Sequence, residues 1–563
     1  MTDNSLFRSS LLAERVRLDQ SLIFLPRCKP KILIVTDGSL GYSTAGFGLT
    51  RFIEAITSHS SVTLKPTLTL AFRGPHPSPV TIGGTAYTVQ TSFNFASATP
   101  AVTLANYDQI WMFGFNSGGG LANNEIQAIA NFMNAGGGVF STGDHASLGA
   151  AMGSRLPRIR RIREWASVPM GTEALPTALR RIDTVVNPGT NNIYEFADQG
   201  DAIPQRIYPN YAVTGPGGAG GWTATVHRIL LLSGAAISRA SGNPALFSND
   251  MDVLPDHPHE SECYAVTAAT VLDDVYTEAG MNFAEWPAAA SGGARFGSDI
   301  VAFGVSGGRS VLNGVWKPPV TPRMFGVIAA YDGHRANPLS GNAARPGRIV
   351  CDATWHHFVN VNLQGMGTIA AGVLTPDANL LKIFRYYQNM IDWLQPSNRR
   401  TCWIFSTLAL ARFHPDLIEE IEVLGDLTKP ENAEIIGLGV AQLIDAEMGP
   451  GSAEQMVVEL LRADADSADL GDKLAGEDGL LNAGDRRSVV AMTLGRGMAE
   501  VAAALPSLND PSTLKLLGSD RHERVELAVH KAMTASVGEG LKRKVERLND
   551  RIKVLKGIDR PAR

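Results

Sequence analysis

Apolar runs that alternate with helical repeats occupy the first part of the chain. Residues 31–38 (KILIVTDG) are a β-branched run that ends in a turn, and residues 49–56 (LTRFIEAI) place apolar positions at helical spacing. The same order returns at 107–115 (YDQIWMFGF), a helical pattern over 124–133 and a third strand at 137–142 (GGVFST). Strands that alternate with helices predict a parallel sheet with right-handed crossovers.

The sheet pattern is interrupted over residues 150–300, which are rich in glycine, proline and alanine and only weakly periodic. We expect an insertion there, with long loops that cover the sheet. Strand patterns resume at 324–333 (MFGVIAAYDG) and 347–358 (GRIVCDATWHHF), and a helix is predicted over 377–394. The predicted α/β domain therefore spans 30–395.

The last part of the chain has a different pattern, because almost nothing after the predicted linker QPSNRRT indicates a strand. We expect a separate all-α domain over 404–563, and a leader over 1–29 ahead of the α/β domain. The predicted helices cover 408–423, 433–447, 453–462, 486–505 and 521–555.

The last predicted helix carries a heptad-like apolar stripe on a basic background. Packing within the same domain is one explanation of this stripe. Formation of a homo-oligomer, or docking of a protein partner, is the other, so we assign the helical domain to assembly or interaction. The stripe consists of Leu541, Val545, Leu548, Ile552 and Leu555.

Composition and charge narrow the functional classes. Hydrophobic residues make up 44% of the 563 residues and charged residues 19%, which is typical of a chain with a sizeable core. A net charge of −5 gives no reason to expect binding to nucleic acid or to an anionic membrane. No apolar segment has the length of a signal or of a membrane span, and the four cysteines are scattered. We expect a reducing compartment and a cytoplasmic location, with no membrane association.

Three loops follow the predicted strands: TDGSLG with Asp37, GFNSGGG with Asn116, and STGDHASLG. In a parallel sheet such loops meet at the carboxyl ends of the strands, where the ligand binds. Asp37 and Asn116, with Trp355 from the late strand segment, are therefore predicted to contact the substrate.

Three segments combine histidines with carboxylates: STGDHASLG, PDHPHESE and CDATWHHF. Imidazole and carboxylate groups are the ligands of a catalytic zinc or similar divalent ion, which can activate water for hydrolysis. The same groups can also act without a metal, as general acid and base. No HExxH spacing is present. The candidate catalytic residues are Asp144, His145, Glu260, His356 and His357, and the candidate metal ligands are His145, His257, His259 and His356.

Five arginines follow the third strand in the sequence SRLPRIRRIREW. Guanidinium groups recognise phosphate or carboxylate by paired hydrogen bonds, so Arg158 and Arg161 are candidates for binding an anionic substrate. A solvated helix face, or salt bridges to the acidic C-terminal domain, is the alternative. No series of aromatic residues accompanies the arginines, which argues against nucleic acid.

The order of strand, glycine-rich loop, YDQIWMFG, helix, GGGVFSTGDH and a late strand that ends in histidine resembles the class I glutamine amidotransferase-like superfamily, and within it the ThuA-like proteins. The resemblance covers about residues 30–395 and implies a flavodoxin-like α/β fold with helices on both faces of the sheet. In the amidotransferases a cysteine nucleophile lies after the third strand and a histidine after a late strand. Here Asp144 and His145 lie where the cysteine is expected, so glutamine hydrolysis through a thioester is not available. His356 or His357 lies where the histidine is expected.

Two functions follow as hypotheses. The first is a hydrolase-type enzyme that acts on a small polar or sugar-like substrate. The second is a catalytically inactive sensor or scaffold, in which the crevice binds a ligand and the helical domain transmits its state.

Overall fold

A computed structural model describes most of the chain and separates it into two compact units. One unit comprises residues 29–213 and 224–397, and the other contains the region from Asn398 onward. The predicted leader lies outside the described residues, apart from Lys29. The described residues are 29–58, 65–97, 103–144, 148–163, 193–195, 205–214, 223–230, 251–255, 262–267, 269–278, 280–289, 295–312, 315–316, 320–339, 341–342, 344–364, 367–370, 373–412, 414–448, 451–463, 467, 470–471, 474, 483–504 and 519–558.

The first unit is an α/β structure built around a mixed sheet of 11 strands, with several two-stranded sheets beside it. The strands in chain order are β1 Lys31–Thr36, β2 Thr67–Phe72, β3 Val80–Ile82, β4 Thr85–Tyr87, β5 Val89–Gln90, β6 Gln109–Phe113, β7 Gly138–Thr142, β8 Ile193–Glu195, β9 Gln205–Arg206, β10 Tyr208–Pro209, β11 Tyr211–Thr214, β12 Thr223–Val226, β13 Val253–Leu254, β14 Val275–Glu278, β15 Met281–Ala284, β16 Asp299–Leu312, β17 Val315–Trp316, β18 Val320–Tyr331, β19 Ile349–Asp352, β20 Gly367–Ala370 and β21 Val373–Pro376.

Six strands of the large sheet run parallel, in the order β5-β2-β1-β6-β7-β19. The prediction of a parallel sheet holds for these strands. It is wrong for residues 324–333, because β18 runs antiparallel to both β19 and β16. The described residues between β18 and β19 contain only a short 3-10 turn and no crossover helix, so the chain returns in the opposite direction.

Helices cover both faces of this sheet, as predicted. In β1, Ile32 and Ile34 face the same apolar core as helices α1 (Thr50–Ser58) and α7 (Ala378–Trp393), whereas Leu33 and Val35 face the core that contains α2 (Asn123–Asn134). Parts of the predicted insertion also join the sheet, since β8 and β10 pair with β16. The helices of this unit are α1 Thr50–Ser58, α2 Asn123–Asn134, α3 Ala150–Gly153, α4 Ile159–Ile162, α5 Ala269–Leu272, α6 Asn360–Gln364 and α7 Ala378–Trp393.

The described residues of the second unit from Asn398 onward lie in helices and turns, and none of them is in a strand. The predicted helix over 408–423 is two helices, because Pro415 lacks the N–H that a continuous helix would need and instead occupies the first turn of the second one. The predicted linker is also short, since the first helix of the unit begins at Arg400. The helices are α8 Arg400–Ala411, α9 Pro415–Leu424, α10 Pro430–Met448, α11 Ser452–Ala463, α12 Ala483–Ala504 and α13 Ser519–Ile558.

Helices α10 and α12 approach each other with almost no space between their backbones. A Cβ atom added at Gly437 would overlap the carbonyl oxygen of Ala491, and one added at Gly495 would overlap that of Ala433. These glycines are therefore required by the packing, not by the backbone conformation.

Two further observations concern the membrane-span search and the cysteines. Among the described residues, no helix is both long and apolar enough to cross a membrane. Cys263 and Cys351 carry free, buried thiols, but Cys402 is disulfide-bonded.

Candidate functional site

Two of the three histidine-bearing segments meet at the carboxyl edge of the sheet. Asp352 at the end of β19 is in register with Thr142 at the end of β7, so the residues that follow both strands are neighbours. Asp144 and His356 lie in these following turns, and His356 Nε2 is 3.1 Å from Asp144 Oδ2. Both side chains are at least 99% buried. The structure thus forms a carboxylate–imidazole pair from residues that are distant in sequence.

The His356 ring is held from both sides. Its Nδ1 lies 3.1 Å from Asn362 Oδ1, opposite the contact with Asp144. Burial lowers the pKa of the imidazole below its usual value, although the carboxylate acts in the opposite direction. A neutral ring can donate from Nε2 to Asp144 and accept at Nδ1 from the amide nitrogen of Asn362, if that amide is turned by 180°.

Thr354 connects the two members of the pair. Its hydroxyl donates to Asp144 Oδ2 over 3.2 Å and accepts the backbone N–H of His356 over 3.1 Å. The Thr354 side chain therefore caps the 3-10 turn Trp355–His357 and fixes the carboxylate that faces it.

His357 points to a different partner, as expected for adjacent histidines. Its Nδ1 lies 2.7 Å from Asp352 Oδ1, and the other oxygen of this carboxylate accepts from the Tyr386 hydroxyl over 3.0 Å. Asp352 also accepts the backbone N–H of Thr354 over 3.2 Å. This second pair is fully buried and ties β19 to α7. Its position favours a supporting role behind His356.

Two glycines let the turn after β7 fold tightly. A Cβ at Gly143 would come within 2.8 Å of the Arg163 guanidinium carbon, and one at Gly149 would come within 2.7 Å of the Gly143 Cα. Gly149 also adopts a φ of 84°, which disfavours other residues. Asp144 closes the turn by donating its N–H to the Leu148 carbonyl over 3.0 Å.

The glycine-rich loop after β1 is clamped by one buried asparagine. Asn360 donates from its amide to the carbonyls of Ser43 and Ala45, both over 2.9 Å, and accepts the N–H of Arg51 over 2.9 Å. A Cβ at Gly48 would overlap the Ser43 carbonyl, so only glycine allows this approach. The loop is thereby fixed against α6.

The same loop presents an aromatic side chain beside the histidine pair. Phe47 is 42% exposed, and its ring centroid lies 5.5 Å from that of Trp355 and 6.3 Å from that of His356. Trp355 stacks on His356 with centroids 3.7 Å apart, and Phe115 approaches Trp355 from the β6 loop at 5.4 Å. Aromatic faces thus border the site next to its polar core.

Asp37 and Asn116 lie at the same edge, where the predicted crevice was placed. Asp37 Oδ2 accepts the backbone N–H of Asn116 over 2.6 Å, and the Asn116 side-chain amide donates to the Asp37 carbonyl over 3.1 Å. Asp37 also accepts the N–H of Ser39 over 2.9 Å. Both residues join the loops after β1 and β6, while Asn116 remains exposed. Contact of either residue with a substrate stays a prediction.

The candidate arginines lie elsewhere in the α/β unit. Arg158 donates to Asn134 over 2.8 Å, just before β7 begins, and it packs over Tyr331 beside the start of β19. It is therefore at the opposite edge of the sheet from His356. Arg161 pairs with Asp274 at 3.3 Å, near the β14–β15 hairpin. Neither arginine lies near the His356–Asp144 pair. A salt bridge does form, as the alternative interpretation expected, but its acidic partner belongs to the insertion and not to the C-terminal domain.

The remaining predicted residues lie outside the described residues: His145, His257, His259 and Glu260. Among the described residues, no group of three histidine, cysteine or acidic side chains could hold a metal. His356 is the one predicted metal ligand that is described, and both of its ring nitrogens already contact protein oxygens. Metal binding stays a prediction.

Sequence reasoning did not identify the residues that orient the pair. Thr354, Asn360 and Asn362 follow the strand segment within a few positions, and all three are fully buried. The sequence NVN, in which two asparagines alternate with apolar residues just after the histidines, was a possible signal because buried asparagines need specific hydrogen-bond partners.

Comparisons with protein-family models, with curated proteins and with solved structures found no match to this chain.

Proposed function

We propose that the chain is a hydrolase-type enzyme that binds a small polar or sugar-like molecule at the carboxyl edge of its sheet, with His356 and Asp144 as the proton-transfer pair. The contact between the His356 imidazole and the Asp144 carboxylate carries this proposal. A buried pair of this kind has the groups of a general acid and base, and it lies at the edge where open α/β sheets bind ligands.

The fold supports the finer assignment to an amidotransferase-like, ThuA-like unit. Without the two-residue strand β5, the parallel strands lie in the order β2-β1-β6-β7-β19. Numbered along the chain, this order is 2-1-3-4-5, which is that of flavodoxin-like sheets. In the same scheme Asp144 occupies the turn of the missing nucleophile, and His356 follows the late strand.

The surroundings of the pair support a small polar substrate. Phe47, which is 42% exposed and packs against Trp355, offers aromatic surface that could stack on a sugar ring, and Asn116 adds an exposed amide. Arg158 and Arg161 are held by other groups away from this edge, so these two residues do not offer paired guanidinium groups to an anionic substrate there.

The proposed chemistry uses His356 in its neutral form. When substrate or water replaces Asn362 at Nδ1, this nitrogen can take a proton from the attacking water, whose oxygen forms the new bond to the substrate. The Asp144 carboxylate stabilises the resulting imidazolium through Nε2–H. The proton then passes to the leaving group, which restores the neutral ring.

One observation favours a sensor or scaffold as the second candidate. Both ring nitrogens of His356 are hydrogen-bonded within the protein, and the side chain is 1% exposed. A ligand could bind against the exposed Phe47 ring without reaching the imidazole. In that case the site would bind but not turn over its ligand.

The test uses the full chain with a panel of neutral sugars, sugar lactones and p-nitrophenyl glycosides. We expect at least one compound to raise the thermal unfolding temperature of the wild type and to be hydrolysed, with hydrolysis lost in Asp144→Asn and His356→Gln. His414→Gln, a partly exposed histidine of the helical unit, is the matched control and should retain full activity. Binding without hydrolysis would favour the sensor, and neither binding nor hydrolysis would contradict both candidates.

Two further parts of the proposal concern a metal and partners. A divalent metal such as zinc would require His145, His257 or His259, and elemental analysis of the purified wild type and a His257→Ala/His259→Ala variant tests this directly.

The helical unit is proposed to mediate homo-oligomer formation or partner docking through the stripe on α13, of which Val545 is 56% exposed. Sedimentation of Val545→Glu against the wild type tests this part.

A further inference from the structure

Arg163 lies at the junction of the segments that form the candidate site. Its Nη2 donates to the backbone carbonyl of Asp144 and, over 3.1 Å, to the carbonyl of Ala353. One guanidinium group therefore joins the turn after β7 to the turn after β19. The side chain is fully buried, so water does not compete for these bonds.

The same residue also contacts a later segment of the insertion, around Cys263. The backbone of Arg163 forms an antiparallel bridge with Cys263, and the Tyr264 N–H donates to the Ile162 carbonyl over 2.7 Å. Cys263 bridges in turn to Gly326 of β18. Cys263 directly follows the second histidine-bearing segment, PDHPHESE. The described end of this segment is therefore attached at Arg163, beside the other two histidine-bearing segments.

The guanidinium packs directly on the turn that carries Asp144. A Cβ at Gly143 would lie 2.8 Å from its Cζ, and the Gly143 carbonyl accepts the N–H of Trp355 over 2.9 Å. A displacement of the Arg163 guanidinium would therefore also displace Asp144 and Trp355. Because Trp355 stacks on His356, the imidazole would move as well.

We propose that Arg163 is the positioning residue of the candidate site, which sets the separation of Asp144 and His356 by fixing the two turns to each other. It touches backbone carbonyls of these turns and needs no contact with substrate. This proposal rests on the site of the proposed function. Its test measures the geometry of the site and not turnover, so the positioning role of Arg163 and the hydrolase function can fail separately.

Arg158 provides a matched control. It lies five positions earlier and is equally buried; at the opposite edge of the sheet its guanidinium donates to Asn134 and its backbone N–H to Glu285. Removing either arginine creates a similar cavity and leaves buried acceptors, so general destabilisation should be comparable. Only the loss of Arg163 should alter the surroundings of Trp355.

The experiment is 19F NMR on full-length protein that carries 5-fluorotryptophan, with the Trp355 resonance assigned from a Trp355→Phe variant. We expect Arg163→Ala to shift or broaden this resonance by more than its linewidth, and Arg158→Ala to leave it in place. Added methylguanidinium should restore the wild-type signal in Arg163→Ala. Arg163→Lys, which can reach one carbonyl at a time, should give an intermediate shift.

An unchanged Trp355 resonance in both Arg163 variants would overturn the proposal, and so would an equal change in Arg158→Ala. If Arg163→Ala does not fold, the comparison rests on Arg163→Lys. A resonance of this variant at the wild-type position would then contradict the proposal.

Discussion

The α/β unit and the helical unit fix their interiors by different means. At the carboxyl edge of the sheet, Asp352 and His357 are fully buried and are held by directed hydrogen bonds. In the helical unit, Gly437 and Gly495 bring two helix backbones into contact through shape alone. A hydrogen-bond network tolerates a change of atom type if its partners remain paired, whereas a close backbone contact tolerates no added atom.

The difference indicates where each unit is adapted to function. Buried polar groups cost desolvation free energy, so a network of them at one edge needs an explanation beyond stability. The glycine contact needs none, because close packing of helices is sufficient. The comparison therefore supports the placement of the proposed chemistry in the α/β unit.

The largest effect should come from Gly437→Leu. The new side chain would collide with the backbone of α12, which cannot move aside like a side chain, so we expect loss of at least about 3 kcal/mol and melting of the helical unit. Circular dichroism during thermal unfolding measures this. Gly538→Leu is the control, since a Cβ there meets nothing within 4 Å, and it should be neutral or stabilising. Equal loss in both variants would show that the close contact is not decisive.

Asp352→Asn tests the polar network with nearly constant shape. Asp352 accepts from His357, Tyr386 and Thr354, and the charge strengthens these bonds. We expect a loss of about 2 to 3 kcal/mol in the free energy of unfolding, measured by urea denaturation. The exposed Asp550→Asn variant should remain close to the wild type. A loss below about 0.5 kcal/mol for Asp352→Asn would contradict a charged, strongly bonded carboxylate.

Thr354→Val removes one hydroxyl without changing the volume of the side chain much. The variant loses the bonds to Asp144 and to the His356 N–H, and we expect about 1 to 2 kcal/mol of destabilisation. Thr354→Ser keeps the hydroxyl and should lose less. Urea denaturation of both variants decides this, and equal losses would assign the effect to the methyl group.

The smallest effect concerns pH. Burial lowers the pKa of His356 in the folded protein, whereas an unfolded histidine titrates near 6.5. The unfolded chain therefore binds more protons below about pH 6.5, and the free energy of unfolding should fall as the pH decreases from there. His356→Gln should flatten this decrease when both proteins are compared over the same pH range. An identical pH dependence in both proteins would mean that His356 is not held neutral.

The sequence predicted much of this structure because its strongest signals are local. The apolar runs at β1, β6 and β7 and most helices were predicted near their observed bounds. The strand predicted over 347–358 ends already at Asp352, and its histidines lie in the 3-10 turn Trp355–His357 that the Thr354 side chain caps. The direction of β18 was wrong, since strand direction depends on the connection and not on the strand's own residues. The predicted helix across Pro415 was wrong because apolar spacing was given more weight than proline at a helix start.

The candidate site was predicted only in part. Asp144 and His356 were identified because both follow strands of a sheet whose carboxyl ends must share one edge. Thr354 and Asn362 were missed, since their partners are set by tertiary contacts that no local pattern encodes. Arg158 was assigned to an anionic substrate because its charge was visible in the sequence and its partner Asn134 was not.

The most direct test of the central claim compares turnover with binding for the same substrate in the wild type and in His356→Gln. A general acid–base role predicts that the rate of hydrolysis falls at least about 100-fold in the variant, while the dissociation constant from calorimetry changes much less. Equal rates in the two proteins, with or without a change in affinity, would contradict proton transfer by the His356–Asp144 pair.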